Sequence, residues 1–159
     1  MKIRNIQAQD NKKIEEIVKS TIVEFGLPTE GSAYEDSDTQ NMFEAYQGTN
    51  ACYFVLEHNN EVIGGGSIKP LRGENMEICE LQKMYVLPKG RGKGFGRKLF
   101  EHCLQAAKEL GYKKCYLESD PGMTAAIRIY EKSGFEHLKG PLGNTGHTAC
   151  GIWMIKPLT

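Results

Sequence analysis

Residues 86–103 have the sequence VLPKGRGKGFGRKLFEHC, and no other stretch says more about the fold. Its first thirteen positions hold four glycines and five cationic side chains, and a helical pattern follows at once. The first N–H groups of a helix have no partner inside the helix, and the helix dipole makes that end positive. Glycines let a ligand approach this bare backbone. The stretch therefore predicts an anion site, most naturally for a phosphate or pyrophosphate.

Three phosphate-binding patterns can be compared with these letters. The Walker pattern GxxxxGK[ST] does not occur in the sequence. The dinucleotide pattern GxGxxG fails, because Arg97 stands where a third glycine would have to follow Gly92 and Gly94. The third pattern, [QR]xxGx[GA], is matched by RGKGFG at residues 91–96.

With this loop the sequence resembles the GNAT superfamily of N-acetyltransferases, whose pyrophosphate loop for acetyl-coenzyme A (acetyl-CoA) has this form. In that family the loop follows a strand that ends in a bulky residue-Tyr-Val-x-Pro, and this chain has MYVLP at residues 84–88. Further along, the family has a helix with the pattern A-I-x-x-Y-E-K-x-G-F, and this chain has AIRIYEKSGF at residues 126–135. Order and spacing agree over residues 60–138, about half of the chain.

The rest of the chain favours an α/β fold. Apolar residues at helical spacing follow Asp10, and the turn pair Asn59–Asn60 separates two strand patterns. Later strands alternate with helices, which indicates an α/β layer with a mixed sheet. The resemblance implies the GNAT acyl-CoA N-acyltransferase fold, a mixed central sheet of about six to seven strands flanked by four helices. We expect residues 1–159 to form a single N-acetyltransferase domain. The predicted apolar stripe of the helix after the loop is Phe95, Leu99, Cys103, Ala106 and Leu110.

Composition argues against several other classes of protein. Lys plus Arg and Asp plus Glu each number 20, so no global positive field favours nucleic acid. No apolar run approaches the roughly 20 residues that span a bilayer, and the N-terminus lacks the core of a signal peptide. The five cysteines are odd in number, widely spaced and without a CxxC pair. We therefore expect free thiols in a reducing cytoplasm, and no metal site.

The resemblance implies where acetyl-CoA, the co-substrate, is bound. It would lie in a V-shaped gap between the strand at 80–87 and the strand at 114–119. Backbone groups of Met84, Tyr85 and Val86 would pair with its pantetheine arm as an added strand does. Backbone amides would hold its pyrophosphate. The residues expected to supply them are Arg91, Gly92, Lys93, Gly94, Phe95, Gly96 and Arg97.

Two further positions bear on cofactor binding. Many relatives have Asn three residues before the Ala of the helix motif, where this chain has Met123. Either the hydroxyl of Thr124 supplies this contact instead, or the contact is absent and acetyl-CoA is bound less tightly. Lys132 is either a partner of the 3′-phosphate or a solvated lysine at a helix end.

The implied reaction is attack of an amine on the thioester carbonyl of acetyl-CoA. A lysine-like amine has a pKa of about 10.4, so its neutral form costs roughly 4 kcal/mol at neutral pH and a base helps. The strand MEICELQKMYV offers Glu77 and Glu80, which the period of two sends to opposite faces. Glu80 occupies the position where many family members keep their base. Its other interpretation is a partner for a cation on the sheet surface.

Two more catalytic roles follow from the resemblance. Tyr130 stands at the family's usual general acid, where it would protonate the departing coenzyme A thiolate. Without the YEKSGF context, it would be taken for a core aromatic residue. The backbone N–H of Met84 or Tyr85 is the expected oxyanion donor.

The acceptor is the least determined part of the prediction. We expect a primary amine, most simply of a small molecule, with a protein or peptide amine and a non-enzymatic acyl-CoA sensor as alternatives. The loop 26–38 is acidic and aromatic, which suits a cationic amine or merely caps the next helix. His147 either lines the pocket or sits on a turn. No nucleic-acid or membrane partner is predicted, and both a monomer and a homodimer fit. The loop residues in question are Glu30, Tyr34, Glu35, Asp36 and Asp38.

Overall fold

The computed structural model describes residues 1–158 and contains one mixed sheet flanked by helices. The strands are β1 (Lys2–Asn5), β2 (Cys52–His58), β3 (Glu61–Pro70), β4 (Ile78–Val86), β5 (Lys114–Ser119), β6 (Glu136–His137) and β7 (Ile152–Pro157). The α-helices are α1 (Asn11–Glu24), α2 (Met42–Ala45), α3 (Phe95–Glu109) and α4 (Thr124–Lys132). The sheet has seven strands in the order β1-β2-β3-β4-β5-β7-β6. The predicted mixed sheet with four flanking helices is confirmed.

The centre of the sheet is a fork between β4 and β5. These strands run parallel, and their pairing extends only from Ile78 opposite Lys114 to Leu81 opposite Leu117. Beyond that rung β4 continues to Val86 but pairs only with β3. The predicted gap between the two strands is therefore present.

A β-bulge lies just past the fork. Lys83 has φ 50°, and the register between β3 and β4 shifts between Gly65 and Ser67. An extra residue reverses the alternation of side chains along the strand. Gln82 accordingly contacts Tyr46 on the α1 side, whereas Met84 packs against the cluster on the α3 side.

Two apolar clusters cover the two faces of the sheet. On one face, α1 buries Ile14, Ile17, Val18 and Ile22 in a cluster that includes residues of β2, β3 and β4. On the other face, the buried residues of α3 are Leu99, Phe100, Cys103, Leu104 and Ala107.

The predicted stripe of α3 was only partly right. Leu99 and Cys103 are buried, but Leu110 is 37% exposed and lies beyond the last helical residue. At 100° per residue the buried face is centred near Cys103 and Ala107. Phe95 and Ala106 therefore fall at or beyond its margin, whereas Leu110 lies past the end of the helix.

Candidate active site

The fork opens into a cavity that both faces of the sheet line. Glu80 reaches it from the face that carries α1, and Tyr130 reaches it from α4 on the other face. Because the sheet is split only here, this is the place where groups from its two sides can meet. Other lining residues are Ile22, Leu27, Leu81, Met84, Tyr85, Leu117, Glu118, Met123, His147 and Cys150.

Glu80 is a buried carboxyl group with a strongly perturbed acidity. It is 3% exposed, and its Oε1 accepts a 2.5 Å hydrogen bond from Nε2 of Gln82. Burial raises the pKa of Glu80 to about 7, against the opposing effect of the Gln82 hydrogen bond. The amide of Gln82 is held in turn, because its Oε1 accepts a 2.5 Å bond from the hydroxyl of Tyr46.

Glu77, the other carboxylate considered from the sequence, lies away from the cavity. It precedes β4, is exposed, and forms an ion pair of 3.1 Å with Lys113. Because Glu77 lies outside β4, its separation from Glu80 does not come from the alternation of side chains along a strand, which was the reason predicted.

A charged network surrounds the mouth of the cavity next to Glu80. Nε2 of His147 lies 2.7 Å from Oδ2 of Asp36, and Nζ of Lys83 lies 3.3 Å from the same oxygen. Hydrogen bonding to Asp36 raises the pKa of His147. Burial favours the neutral carboxyl of Asp36, but His147 and Lys83 hold its pKa below the usual value.

A second buried carboxylate, Glu118, lies across the fork on β5. Its side chain is 2% exposed. Its two oxygens accept hydrogen bonds from the hydroxyls of Tyr116 at 2.7 Å and Thr145 at 2.8 Å. The cavity is therefore flanked by one carboxyl from each arm of the fork, Glu80 and Glu118.

Tyr130 has the placement of both a core residue and a cavity residue. Its ring packs against Phe100 and Phe135, with centroid distances of 5.3 Å and 6.1 Å. Burial raises the pKa of its phenol, so the group stays protonated at neutral pH. Within residues 1–158, no side chain or backbone group is hydrogen-bonded to its hydroxyl. The ring is thus fixed by packing while the hydroxyl keeps its proton.

The glycine-rich loop presents a row of free backbone amides. The N-cap of α3 is Gly94 with φ 78°, and Gly92 has φ 74°, a region that glycine adopts readily. Within residues 1–158, no internal acceptor is bonded to the N–H groups of residues 92–97. Together with the positive end of α3, this cradle fits a pyrophosphate.

Arg91 differs from the rest of the predicted loop set. Its own N–H already donates to the carbonyl of Pro88 at 3.1 Å. Its guanidinium donates to the carbonyl oxygen of Val86 at 2.9 Å and to the carboxylate of Glu24. The structure therefore leaves the amides of residues 92–97 free, not those of 91–97, and Arg91 anchors the loop instead.

A cationic groove continues from this loop between α3 and α4. It is lined by Arg97, Arg128 and Lys132 among others. Such a groove suits a further phosphate. A contact of Lys132 with the 3′-phosphate therefore stays a prediction. Thr124 is the exposed first residue of α4, and Met123 before it lines the cavity.

Two loops close the other side of the cavity. The N–H groups of Thr148 and Ala149 donate to the carbonyl of Gly31 at 3.0 and 3.2 Å. The His147–Asp36 contact joins the same two segments, so residues 31–36 and 147–149 form one wall. Of the acidic loop, Asp36 and Asp38 line a connected cleft that also contains Arg72.

Several site residues were missed by sequence reasoning. Tyr46, Gln82 and Lys83 depend on the bulge and on packing between distant segments. Glu118 did carry a signal, because an acidic residue inside the otherwise buried strand pattern KKCYLES needs an explanation.

Comparison with known proteins agrees with this arrangement. The sequence profile of the acetyltransferase (GNAT) family matches residues 15–135. The Escherichia coli protein called uncharacterized N-acetyltransferase YjgM is 40% identical over 157 residues, which cover 98% of this chain and 94% of that protein. The chain therefore belongs to the acetyltransferase (GNAT) family, a family of acetyl-CoA-dependent enzymes.

Solved structures show the same fold. A GNAT-family acetyltransferase from Staphylococcus aureus Mu50 superimposes with a TM-score of 0.85 at 18% identity, covering 99% of both chains. The Salmonella typhimurium protein yncA, solved with its cofactor acetyl-CoA, superimposes with a TM-score of 0.80 at 24% identity. That match covers 100% of this chain and 94% of yncA. Within residues 1–158, no helix has the length and apolar character that crossing a bilayer requires.

Proposed function

We propose that this protein transfers the acetyl group of acetyl-CoA to the primary amine of a small molecule, with Glu80 as base and Tyr130 as general acid. One observation carries the proposal. A buried carboxyl group with a pKa of about 7 and a buried phenol reach the same cavity from opposite faces of the sheet, at its fork. Acetyl-CoA supplies the activated acetyl group when it is bound there.

Glu80 suits the removal of a proton from an ammonium group near neutral pH. A base is most effective when its pKa lies near the working pH, and burial brings Glu80 to that range. Gln82 and Tyr46 hold the carboxyl group in one position through two 2.5 Å hydrogen bonds. The proton of the ammonium group would pass to Glu80 either directly or through a bound water.

The residues beyond the fork suit the binding of coenzyme A. The part of β4 from Met84 to Val86 has no strand partner on its β5 side, so an extended ligand can add there as a strand does. The free amides of residues 92–97 suit the pyrophosphate. A backbone N–H of Met84 or Tyr85 would stabilise the charge that develops on the carbonyl oxygen.

Tyr130 would return a proton to the thiolate that leaves. Its pKa is raised by burial, so the phenol is protonated throughout the physiological range and ready to donate. Its ring is immobilised by Phe100 and Phe135, which fixes the direction of the hydroxyl's carbon–oxygen bond.

The closed wall around the acceptor side favours a small molecule over a peptide. Residues 31–36 and 147–149 are joined by two backbone hydrogen bonds and the His147–Asp36 contact. A peptide would need an open groove through this wall. The acidic groups nearby, Asp36, Asp38 and Glu118, suit a positively charged amine.

A thiol-release assay with acetyl-CoA over a panel of amines tests the activity. We expect turnover on a small amine and a loss of about 10²-fold or more in kcat for Glu80→Gln. Glu77→Gln, which alters an exposed carboxylate at the other end of the strand, should retain wild-type turnover. Equal activity of wild type and Glu80→Gln would exclude Glu80 as the base.

The same assay separates the alternatives. Turnover on peptides but on no small amine would replace the small-molecule acceptor by a protein or peptide. Calorimetric binding of acetyl-CoA without turnover on any amine or peptide would favour an acyl-CoA sensor.

We further propose that the whole chain acts as one domain in a reducing compartment such as the cytoplasm. All seven strands share one sheet, and all five cysteines are free thiols. A monomer and a homodimer are both compatible with this proposal, and sedimentation analysis decides between them.

A further inference from the structure

We propose that Glu118, His147 and Cys150 form a binding site for a divalent metal ion of the zinc type in the wall of the acceptor cavity. One oxygen, one ring nitrogen and one sulfur from these residues all lie within 4.8 Å of one another. Carboxylate, imidazole and thiolate together form a ligand set that zinc accepts. His147 and Cys150 are three residues apart in the loop before β7, whereas Glu118 lies on β5 and is brought to them by the fold.

The distances are close to those that a zinc ion requires. Zinc–ligand bonds of about 2.0–2.3 Å place the ligand atoms of a tetrahedral site roughly 3.3–3.8 Å apart. Nδ1 of His147 already lies 3.9 Å from Oε1 of Glu118. The remaining separations are at most 4.8 Å, so each has to shorten by about 1 Å or less to reach the upper end of this range. The fourth position would be left to water or to a group of the acceptor.

The orientation of His147 is suited to metal binding. Its Nε2 is hydrogen-bonded to the carboxylate of Asp36 at 2.7 Å. In the neutral imidazole, a proton on Nε2 would be donated to Asp36 and the lone pair of Nδ1 would face Glu118. A ligating histidine that donates its other N–H to a carboxylate is the usual arrangement in metal sites.

Glu118 is a buried carboxylate without a cation in hydrogen-bonding contact. Its side chain is 2% exposed, and its partners Tyr116 and Thr145 are neutral hydroxyl groups. A buried carboxylate is stabilised best by a positive charge. Each carboxylate oxygen has a second lone pair, so Glu118 can bind a metal while keeping both hydrogen bonds.

Binding would release a proton and block the acceptor. Cys150 coordinates as a thiolate, so the proton of its thiol passes to solvent when the metal binds. The three ligands line the same cavity as Glu80 and Tyr130. Bound zinc would therefore compete with the amine. This inhibition rests on the proposed function, whereas the binding of the metal does not.

Titration of the chelator-treated protein with Co²⁺, a spectroscopic substitute for Zn²⁺, tests the site. We expect one equivalent to bind and to produce a thiolate-to-cobalt charge-transfer band, which added Zn²⁺ abolishes by displacement. Cys150→Ser should lose the band and lower the affinity for Zn²⁺ by about tenfold or more. Cys52→Ser is the matched control, because Cys52 is half-buried on β2 and outside the cluster, and it should keep both.

Two further readouts keep the test decisive. Zn²⁺ should raise the melting temperature of the wild type and of Cys52→Ser, but not that of Cys150→Ser. The absence of a thiolate band in the wild type, or equal Zn²⁺ affinity of Cys150→Ser and wild type, would overturn the site.

Inhibition is measured separately from binding. In the amine assay Zn²⁺ should raise the KM for the amine, and a chelator should reverse the effect. Metal binding without any change in KM would overturn the competition with the acceptor. If no amine is turned over at all, the cobalt spectrum still reports on the metal site, so the two proposals fail independently.

Discussion

Arg91 and Glu24, 67 positions apart in the sequence, join the glycine-rich loop to the end of α1 through two N–O contacts of 2.5 and 2.9 Å. The same guanidinium donates to the carbonyl of Val86 at the end of β4. The side chain of Arg91 thus connects the loop that presents the free amides to both α1 and β4. We expect it to affect the phosphate site by positioning this loop.

Loss of this anchor should weaken acetyl-CoA binding without slowing the chemistry. For Arg91→Gln and for Glu24→Gln we expect the Kd of acetyl-CoA to rise about two- to fivefold, because a partly exposed ion pair contributes at most about 1 kcal/mol. The double variant should be no worse than Arg91→Gln, since both remove the same contact. Calorimetry measures the Kd, and Lys113→Gln, which breaks an ion pair remote from the loop, is the control. A fall in kcat for Glu24→Gln would contradict this role.

Gly94→Ala should weaken acetyl-CoA binding by more than the loss of stability of the variant explains. The φ of 78° costs an alanine about 1–2 kcal/mol. The added methyl would also stand among the free amides, so we expect the Kd to rise about tenfold. Gly111→Ala is a matched control, because it has φ 91°, equally open space and a place at the far end of α3. The two variants should have similar melting temperatures, but Gly94→Ala should have the higher Kd for acetyl-CoA. Equal Kd values for the two variants would argue against the phosphate site.

Glu80 should make both activity and stability depend on pH. Its pKa is raised to about 7, so the basic form and kcat/KM should increase with pH up to about 7. The other charged groups that act on Glu80 are Glu118 on β5, His147 in the loop before β7, and Lys83 on β4. In Glu80→Gln the increase of kcat/KM with pH near 7 should disappear, so that only the titration of the amine still changes kcat/KM with pH.

The same shift predicts the direction of the stability change. The unfolded chain releases this proton near its ordinary value of 4.5, whereas the folded protein keeps it up to about pH 7. Between these values the folded state binds more protons, so the free energy of unfolding falls as pH rises. Glu80→Gln lacks this pH-dependent loss. Its free energy of unfolding, relative to that of the wild type, should therefore increase by an amount on the order of 3 kcal/mol between pH 4.5 and a pH above 7. Urea unfolding at several pH values measures the difference, and a gap that is constant with pH would contradict the raised pKa.

Tyr130→Phe should lower kcat far more than it lowers acetyl-CoA affinity. The variant keeps the ring that packs on Phe100 and Phe135 but lacks the proton that the thiolate needs. We expect a fall in kcat of about 10²-fold, with a Kd for acetyl-CoA within about twofold of wild type. Tyr112→Phe removes a buried hydroxyl that donates to the carbonyl of Asn50 at 2.6 Å. That control should cost about 1 kcal/mol of stability and leave kcat unchanged. Unchanged kcat in Tyr130→Phe would remove the residue from the mechanism.

The parts of the site that sequence reasoning predicted are those ruled by local patterns. The glycine-rich loop before α3 follows from helix-end chemistry, and the turn at Asn59–Asn60 has both residues at positive φ, as the pair predicts. Each of these inferences needs only neighbours in sequence.

The parts that were not predicted depend on contacts between distant segments. Nothing about a lysine announces the left-handed conformation of Lys83, yet the bulge there decides that Met84 and Gln82 face opposite sides. The His147–Asp36 contact spans 111 positions and forms only after the sheet has brought two loops together. Sequence alone left both roles of His147 open for that reason.

The fork has a consequence for how the protein behaves on its own. Past Leu81, strand β4 is an edge in the middle of the sheet, and an edge strand is a template on which foreign chains can polymerise. A ligand that binds along this edge should therefore also reduce aggregation. Preparations saturated with coenzyme A should scatter less light on heating than ligand-free ones.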